Sequence, residues 1–408
     1  MSRRPAALAG YAVLAVAVLY APIALSSMWF AFDPDAPRIQ EQLDRMVGGA
    51  AYATGPGSVH AARTEDYAEH RLLMLTHTVG GGVALLVACA QWTARRRLTR
   101  GSHRHIGRVY FAVMTVSMAA AMAFLVVSAD VEGTGQVAFR WQLWVLAIST
   151  LGSAAAAVVH ARRGDPIGHH RWMCLHFAFM MTAPVLRLCW TVLGPLLPDY
   201  DMLTNLKAGA VALAVIAPAS AVVAVALSER PHSRGDTPRP AHLWLALAVL
   251  GCCAIVVVAP DEVARTAGYP WFHVAPVLAA TVLAVAARGV ARRSGRTASV
   301  WDDLLLATSL APWAAVAAGW IASFSVGPLE GYLAGLMVGP GIPIVMTLAA
   351  ARAPRTGSRG ERGDHPGGLP GRELLDALLE ARRLEQLGEA TQPARDHGLG
   401  LGEQRLHR

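Results

Sequence analysis

The chain has 408 residues, of which 54% are hydrophobic and only 16% charged, with a formal net charge of +8. A soluble domain carries about a quarter charged residues, and the apolar excess here is gathered into stretches of about 20, the length that crosses a bilayer as a helix. Composition thus excludes a soluble globular protein. The placement of the basic residues, in short loops between apolar runs, excludes nucleic acid as the partner and marks them as determinants of membrane orientation.

The first apolar run, from Ala6 to Phe32 behind "MSRRP", is too long for the hydrophobic part of a signal peptide and has no clear small-residue cleavage site. It reads as a retained first span. Nine more follow, so the pattern predicts crossings at 6–30, 72–93, 109–128, 141–160, 173–196, 208–227, 242–260, 271–288, 304–324 and 331–351. Backbone at these depths has no water to bond, so helix is the expected state. The expected fold is all-α, a polytopic transmembrane helix bundle.

Charge counts between the spans orient it. The N-terminus and the loops near 94–108, 161–172, 228–241 and 288–303 hold 18 arginines against 5 acids. The alternating loops, at 31–71, 129–140, 197–207, 261–270 and 325–330, hold 7 basic residues against 14 acids. The positive-inside rule puts the first set and both termini in the cytoplasm of a multi-pass protein of the cell inner (plasma) membrane. The basic face would also attract anionic lipid.

Loop 31–71 is the longest segment on the other face. Its "DPDAPRIQEQLDRM" suggests a short surface helix before the turn "ATGPGS". Five cysteines, all inside apolar runs, form no disulfide framework and read as packing residues. The loop "SERPHSRGDTPRP" marks the best internal boundary. It separates a six-span, His/Arg-bearing domain (1–230) from a four-span domain (242–352) in which only Trp313, Trp320 and "GPGIP" stand out. The tail 353–408 is Arg-, Gly- and Pro-rich and expected to be largely disordered. Its Leu374, Leu375, Leu378 and Leu379 at helical spacing fit a membrane-surface or partner helix.

Chemistry-bearing residues concentrate in the second, third and fifth spans. His169, Met173, His176, Met180 and Arg187 fall along one helical face if the fifth helix starts as early as His169. Arg187 then lies about 20 Å along the helix, at about 1.5 Å per residue, where a cation is expected to face the bundle interior, an aqueous cavity or an anion, unless it snorkels to the outer surface. In the second span His77, Gly81, Ala84, Ala88 and Gln91 make a narrow face of small residues with polar ends. Small residues admit either a close helix or a flat cofactor. His77 and Arg187 come out at comparable depth in the outer leaflet; His103, His105, His169 and His176 lie near the inner one. For His103, His105, His169 and His170, all at helix starts beside arginines, capping or lipid binding competes with a functional role. Pro184 and "GPGIP" are candidate helix breaks.

The stretches "HTVGGGVALLVACAQW", "RRRLTRGSHRHIGRVY" and "HHRWMCLHFAFMMTAPVLRL" resemble the successive signatures of a bacterial predicted-membrane-protein family, domain of unknown function 2306. The resemblance covers residues 70–190 and rests on His77, Gln91, Arg95, His103, Arg104, Gly107, Arg108, Tyr110, His169, Arg171, Trp172, Met173, Leu186 and Arg187. It implies a helical membrane bundle and no particular activity. His105 and His176 lie outside its pattern.

Three functions stay open. Histidines on several helices are similar to the arrangement in di-haem membrane cytochromes b, which suggests a redox protein binding haem b or a quinone through His77, His103, His169, His176 and Arg187. Two haems need four axial ligands, and His77 alone serves the outer leaflet, so a single inner haem or a quinone is the narrower form. A transporter or small-anion-binding protein with Arg187 as counter-ion is the second, and a non-catalytic scaffold gripping anionic lipid the third. No Walker loop, dinucleotide fingerprint or paired Cys-x-x-Cys is present in the sequence.

Overall fold

The computed structural model describes residues 4–94, 99–128, 135–228, 240–261, 270–293 and 299–350. Residues 353–408 part from Met1–Arg352 as a second unit. That unit, with its Leu-rich segment, lies outside the described residues, as does most of the 228–241 loop.

Every regular element among the described residues is a helix. In chain order these are α1 (Arg4–Ser26), a 3-10 turn at Trp29–Ala31, α2 (Ile39–Gly48), α3 (Ala50–Thr54), α4 (Val59–Glu69), α5 (Arg71–Ala94), α6 (Arg100–Val127), α7 (Gln136–Arg162), α8 (Pro166–Met180), α9 (Thr182–Leu196), α10 (Met202–Ser228), α11 (Ala241–Val257), α12 (Pro270–Arg293), α13 (Ser299–Val326), α14 (Pro328–Val338) and α15 (Gly341–Ala350). Among the described residues nine helical stretches are long and apolar enough to cross a bilayer, and α11 is a shorter apolar helix of 17 residues. At 1.5 Å per residue α11 reaches about 25 Å, the lower end of the spanning range. The protein is therefore a polytopic all-α membrane bundle.

Two of the spans are broken. Span Pro166–Leu196 turns at Met181 between α8 and α9. Pro184 has no N–H to give Met180 four residues back, and its ring crowds that carbonyl. The Thr182 hydroxyl donates to the Phe179 carbonyl (2.6 Å) beside the break. Span Pro328–Ala349 turns at Gly339 and Pro340, between α14 and α15. Gln142 of α7 reaches into this second break: its Nε2 donates to the Met337 carbonyl (2.9 Å) and to the Ala210 carbonyl of α10 (2.7 Å). A carbonyl released by the break is thus satisfied from a neighbouring helix, as backbone inside a membrane requires.

Helix α10 runs through the middle of the bundle, packed on α8 and α9 on one side and on α12 and α15 on the other. The four spans after residue 240 share this central helix with the first six. Their own tightest seam is between α13 and α14. A methyl group placed on Gly335 would lie 2.4 Å from the Ala315 carbonyl oxygen and 2.6 Å from Gly319 Cα, and one on Gly331 or Gly339 would also strike α13 backbone. Glycines at every fourth position let the two backbones touch.

At the end of the bundle where α7, α10 and α14 begin, Glu330 caps α7 from a distant part of the chain. Its carboxylate accepts from the Ala138 N–H (2.9 Å) and from the Gly135 N–H. Gly135 sits at φ +84° with the Lys207 side chain against it. A carboxylate at a helix N-terminus meets both free N–H groups and the positive end of the dipole. Glu330→Ala is expected to lower stability by about 2 kcal/mol and Glu330→Gln by about half as much; thermal unfolding in detergent measures both.

Candidate functional site

The helices alternate direction, so the bundle has two polar ends. One carries α2–α4, the cap, and the other the arginine-rich turns. His77 sits on α5 in the cap-side half, about 9 Å below the start of its helix at 1.5 Å per residue. Its Nδ1 lies 3.2 Å from the Ser117 carbonyl of α6 and 3.3 Å from the Ser117 hydroxyl. A carbonyl can only accept, so Nδ1 carries the proton. In the neutral ring Nε2 then holds the lone pair, and Nε2 makes no hydrogen bond among the described residues. The glycines after His77 serve helix approach. A methyl on Gly80 would meet Ser117 Cβ at 2.9 Å, and one on Gly82 would meet Leu25 at 3.1 Å. Helix α5 is thereby wedged between α1 and α6.

Arg187 of α9 faces α1, the helix that also packs on α5 one turn beyond His77. Its guanidinium carbon is 5.8 Å from the ring centres of both Tyr20 on α1 and Trp190, a distance at which a cation is attracted to an aromatic face. Among the described residues no carboxylate is within ion-pair distance of it. Three helices therefore contribute an imidazole lone pair, a guanidinium and two aromatic rings to one half of the bilayer.

The other predicted residues fall elsewhere. His176 is fully buried, and both ring nitrogens are engaged. Nδ1 donates to the Thr150 carbonyl of α7 (3.0 Å), which leaves Nε2 to accept from the Tyr110 hydroxyl of α6. His169 gives its Nδ1 proton to the Ala157 carbonyl (2.9 Å) at the arginine-rich end. His103 is exposed in the first turn of α6 at that same end, behind an N-cap in which the Thr99 hydroxyl accepts from the Ser102 N–H (3.2 Å). The single stripe expected along the fifth span is interrupted at Met181, so that His169 and His176 turn to α7 while Arg187 turns to α1. Proline at 184 is the cause. At the start of α8, Asp165 accepts from the Gly168 N–H (2.8 Å) and faces His160 Nδ1 (2.8 Å). The Gly168 bond first, then His160, holds its carboxyl below the usual range.

A polar cluster in the cap completes the picture, and sequence reasoning missed it. Asp44 of α2 is 0% exposed. It accepts from Gln40 Nε2 (3.1 and 3.2 Å), His60 Nε2 (2.9 Å), Thr191 Oγ1 (2.5 Å) and Trp190 Nε1 (3.4 Å). Tyr52 of α3 donates to the Trp190 carbonyl (2.5 Å) and accepts from Asn205 Nδ2 (3.1 Å). Burial first, with Asp44 and Asp201 nearby adding to it, pushes the Tyr52 phenol up to about 12 against the Asn205 bond, so it remains a donor at ordinary pH. The one sequence signal was Gln40 four residues before Asp44 in a segment that read as a short surface helix.

These features define a multi-span helical membrane protein in which, among the described residues, His77 and Arg187 stand toward the end that carries the three short helices α2–α4. Residues 74–227, from α5 to the end of α10, match the family described as "Predicted membrane protein (DUF2306)", which has no assigned function. The match includes His77, Ser117, Tyr110, His176 and Arg187 and extends past the 70–190 segment that carried the resemblance. No curated protein and no solved structure matches the chain.

Proposed function

We propose that this is a membrane redox protein that holds a quinone between His77 and Arg187 on the cap side of the bilayer. The observation that carries this reading is the orientation of His77. With its Nδ1 proton engaged by Ser117, the imidazole turns an unbonded Nε2 lone pair into the half of the membrane that Arg187 occupies. A quinone offers two carbonyl oxygens, one for the guanidinium to bond and one whose proton, in the reduced form, Nε2 accepts. Tyr20 and Trp190 give the flat ring apolar faces to lie on. Haem fits less well. A ring nitrogen fixed by a carbonyl is how a ligating histidine is oriented, yet His176 has spent both nitrogens, and a six-coordinate haem needs a second ligand at the same depth.

Arg187 also supports a second reading. A guanidinium in the membrane with no carboxylate among the described residues suits a small anion, and breaks in two spans are a feature of transporters. Uptake into vesicles that Arg187→Gln abolishes would favour this reading.

The proposal extends to topology. The arginine-rich end faces the cytoplasm of an inner (plasma) membrane, with exposed Arg104, Arg108, Arg162 and Arg163 meeting anionic lipid. The first six spans, 1–230, supply the site, and the four spans of 242–352 support it. Protein purified from quinone-replete membranes is expected to yield close to one quinone per chain on solvent extraction. His77→Ala and Arg187→Gln should each lower that yield at least tenfold, with no Soret band in any of the three. A quinone-free wild-type preparation rejects the proposal, and a Soret band lost in His77→Ala replaces it with haem.

A further inference from the structure

Loop 31–71 had been expected to hold one surface helix. It forms three, and their contact with the bundle is unusual in kind. The buried residues of α2 are Gln40 and Asp44, both polar, and α4 buries none. Helix α3 buries only Ala53. Tyr52 and Val59 add apolar packing on Trp190, Met202 and Leu206, but α2 is joined to α9 by directed hydrogen bonds, Gln40 and Asp44 to Thr191 and Asp44 to Trp190, beside those of Tyr52 to the Trp190 carbonyl and Asn205 to Tyr52. Apolar contacts tolerate sliding, whereas a set of directed bonds around one carboxylate is made or broken together.

The position of this joint gives it a role. Thr191 and Trp190 stand one turn above Arg187, and the Arg187 carbonyl, 2.9 Å from Thr191 Oγ1, is the alternative acceptor for the one hydroxyl proton that Asp44 takes. Trp190 is shared: its indole N–H reaches Asp44 while its ring flanks the guanidinium. The chain between α2 and α3 passes through Gly49 at φ +87°, a conformation that leaves a bend free of side-chain constraint. Asn205 adds a sign of imperfect closure, since its Oδ1 is buried and has no hydrogen-bond partner.

We propose that α2–α4 are a lid over the Arg187 pocket, latched by Asp44 on Thr191 and Trp190, and that the pocket exchanges its ligand with the cap-side water when the latch opens. The groups facing Asp44 are Gln40 from α2, His60 from α4, Tyr52 from α3, and Thr191 and Trp190 from α9; Glu41 and Arg45 of α2 pair with each other (3.0 Å). With Asp44 removed, Gln40, Thr191, Trp190 and His60 lose a common acceptor, and what still joins the cap to the bundle is the Gln40–Thr191 bond (3.0 Å), the Tyr52 bonds, the Leu203 N–H to Gly57 carbonyl bond (3.0 Å) and the packing of Tyr52, Val59 and Tyr67.

The inference rests on the pocket proposed above, but its test needs no ligand. In Tyr20→Cys, a membrane-impermeant, positively charged thiosulfonate is added from the cap side and labelling of residue 20 is followed by peptide mass. With the latch intact, labelling is slow. Asp44→Ala and, independently, Thr191→Val are expected to speed it at least tenfold while Cys253 labelling stays constant. A Gln40→Cys/Thr191→Cys pair, oxidised to a cross-link, should suppress labelling, and reduction should restore it. Fast labelling with the latch closed overturns the lid, as does a rate that neither the latch variants nor the cross-link changes. If Asp44→Ala fails to fold, Thr191→Val and the cross-link decide. A quinone-free protein that shows these labelling rates retains the lid and loses only the quinone.

Discussion

Gly335→Leu should leave no folded protein in the membrane fraction, and Gly335→Ala should lower stability by about 3 kcal/mol. The added methyl would stand 2.4 Å from the Ala315 carbonyl oxygen and 2.6 Å from the Gly319 Cα and nitrogen. All three are backbone atoms, so no side chain can swing aside, and α13 and α14 must separate along their length. Separation also costs the Gln142 bond to the Met337 carbonyl and shifts Glu330 away from α7. Thermal unfolding in detergent, with expression level as a second readout, measures it. A Gly335→Ala protein as stable as wild type would mean that the two helices do not approach at this glycine.

His176→Ala is expected to cost about 3 kcal/mol, and Tyr110→Phe about 1 kcal/mol. The imidazole is 0% exposed and ties α8 to both α6 and α7. Its loss opens a cavity and leaves the Tyr110 hydroxyl only the weak acceptor Met180 Sδ (2.7 Å) among apolar side chains such as Met114 and Ala154. The double variant should cost less than the sum of the two, because once Tyr110 is Phe no buried hydroxyl is left unpaired. Neither change should alter the quinone yield, whereas His77→Ala should lower the yield and leave stability within about 1 kcal/mol of wild type. A ligand lost in His176→Ala at unchanged stability would return His176 to the binding site.

The crossings were legible because each is set by a local quantity, a run of about 20 apolar residues bounded by charge. All ten segments are helices, and both suspected breaks, at Pro184 and at "GPGIP", interrupt their spans. The positions of His77 and Arg187 along their helices followed from counting residues. What those residues touch did not. His176 looked as available as His77, and only the neighbours on α6 and α7 show that its nitrogens are taken. The four later spans looked nearly featureless, since Gly331, Gly335 and Gly339 acquire meaning only from the helix that presses on them. In the cap, the segment of α2 read as a short surface helix, and nothing in it marked Gln40 and Asp44 as buried, because sequence patterns assume that the hidden side is apolar.

From its residues alone this protein is a helical membrane bundle, with its ionisable groups placed along particular helices. Those properties depend on one helix and the bilayer, and each segment carries them independently. Tertiary structure decided which depth-matched groups meet: Ser117 turns His77, Tyr110 and Thr150 occupy His176, and α2–α4 close over Arg187 through Asp44. Rotation of a helix about its own axis is set by neighbours from distant parts of the chain, through contacts between small residues and single hydrogen bonds. No periodicity within one segment records it.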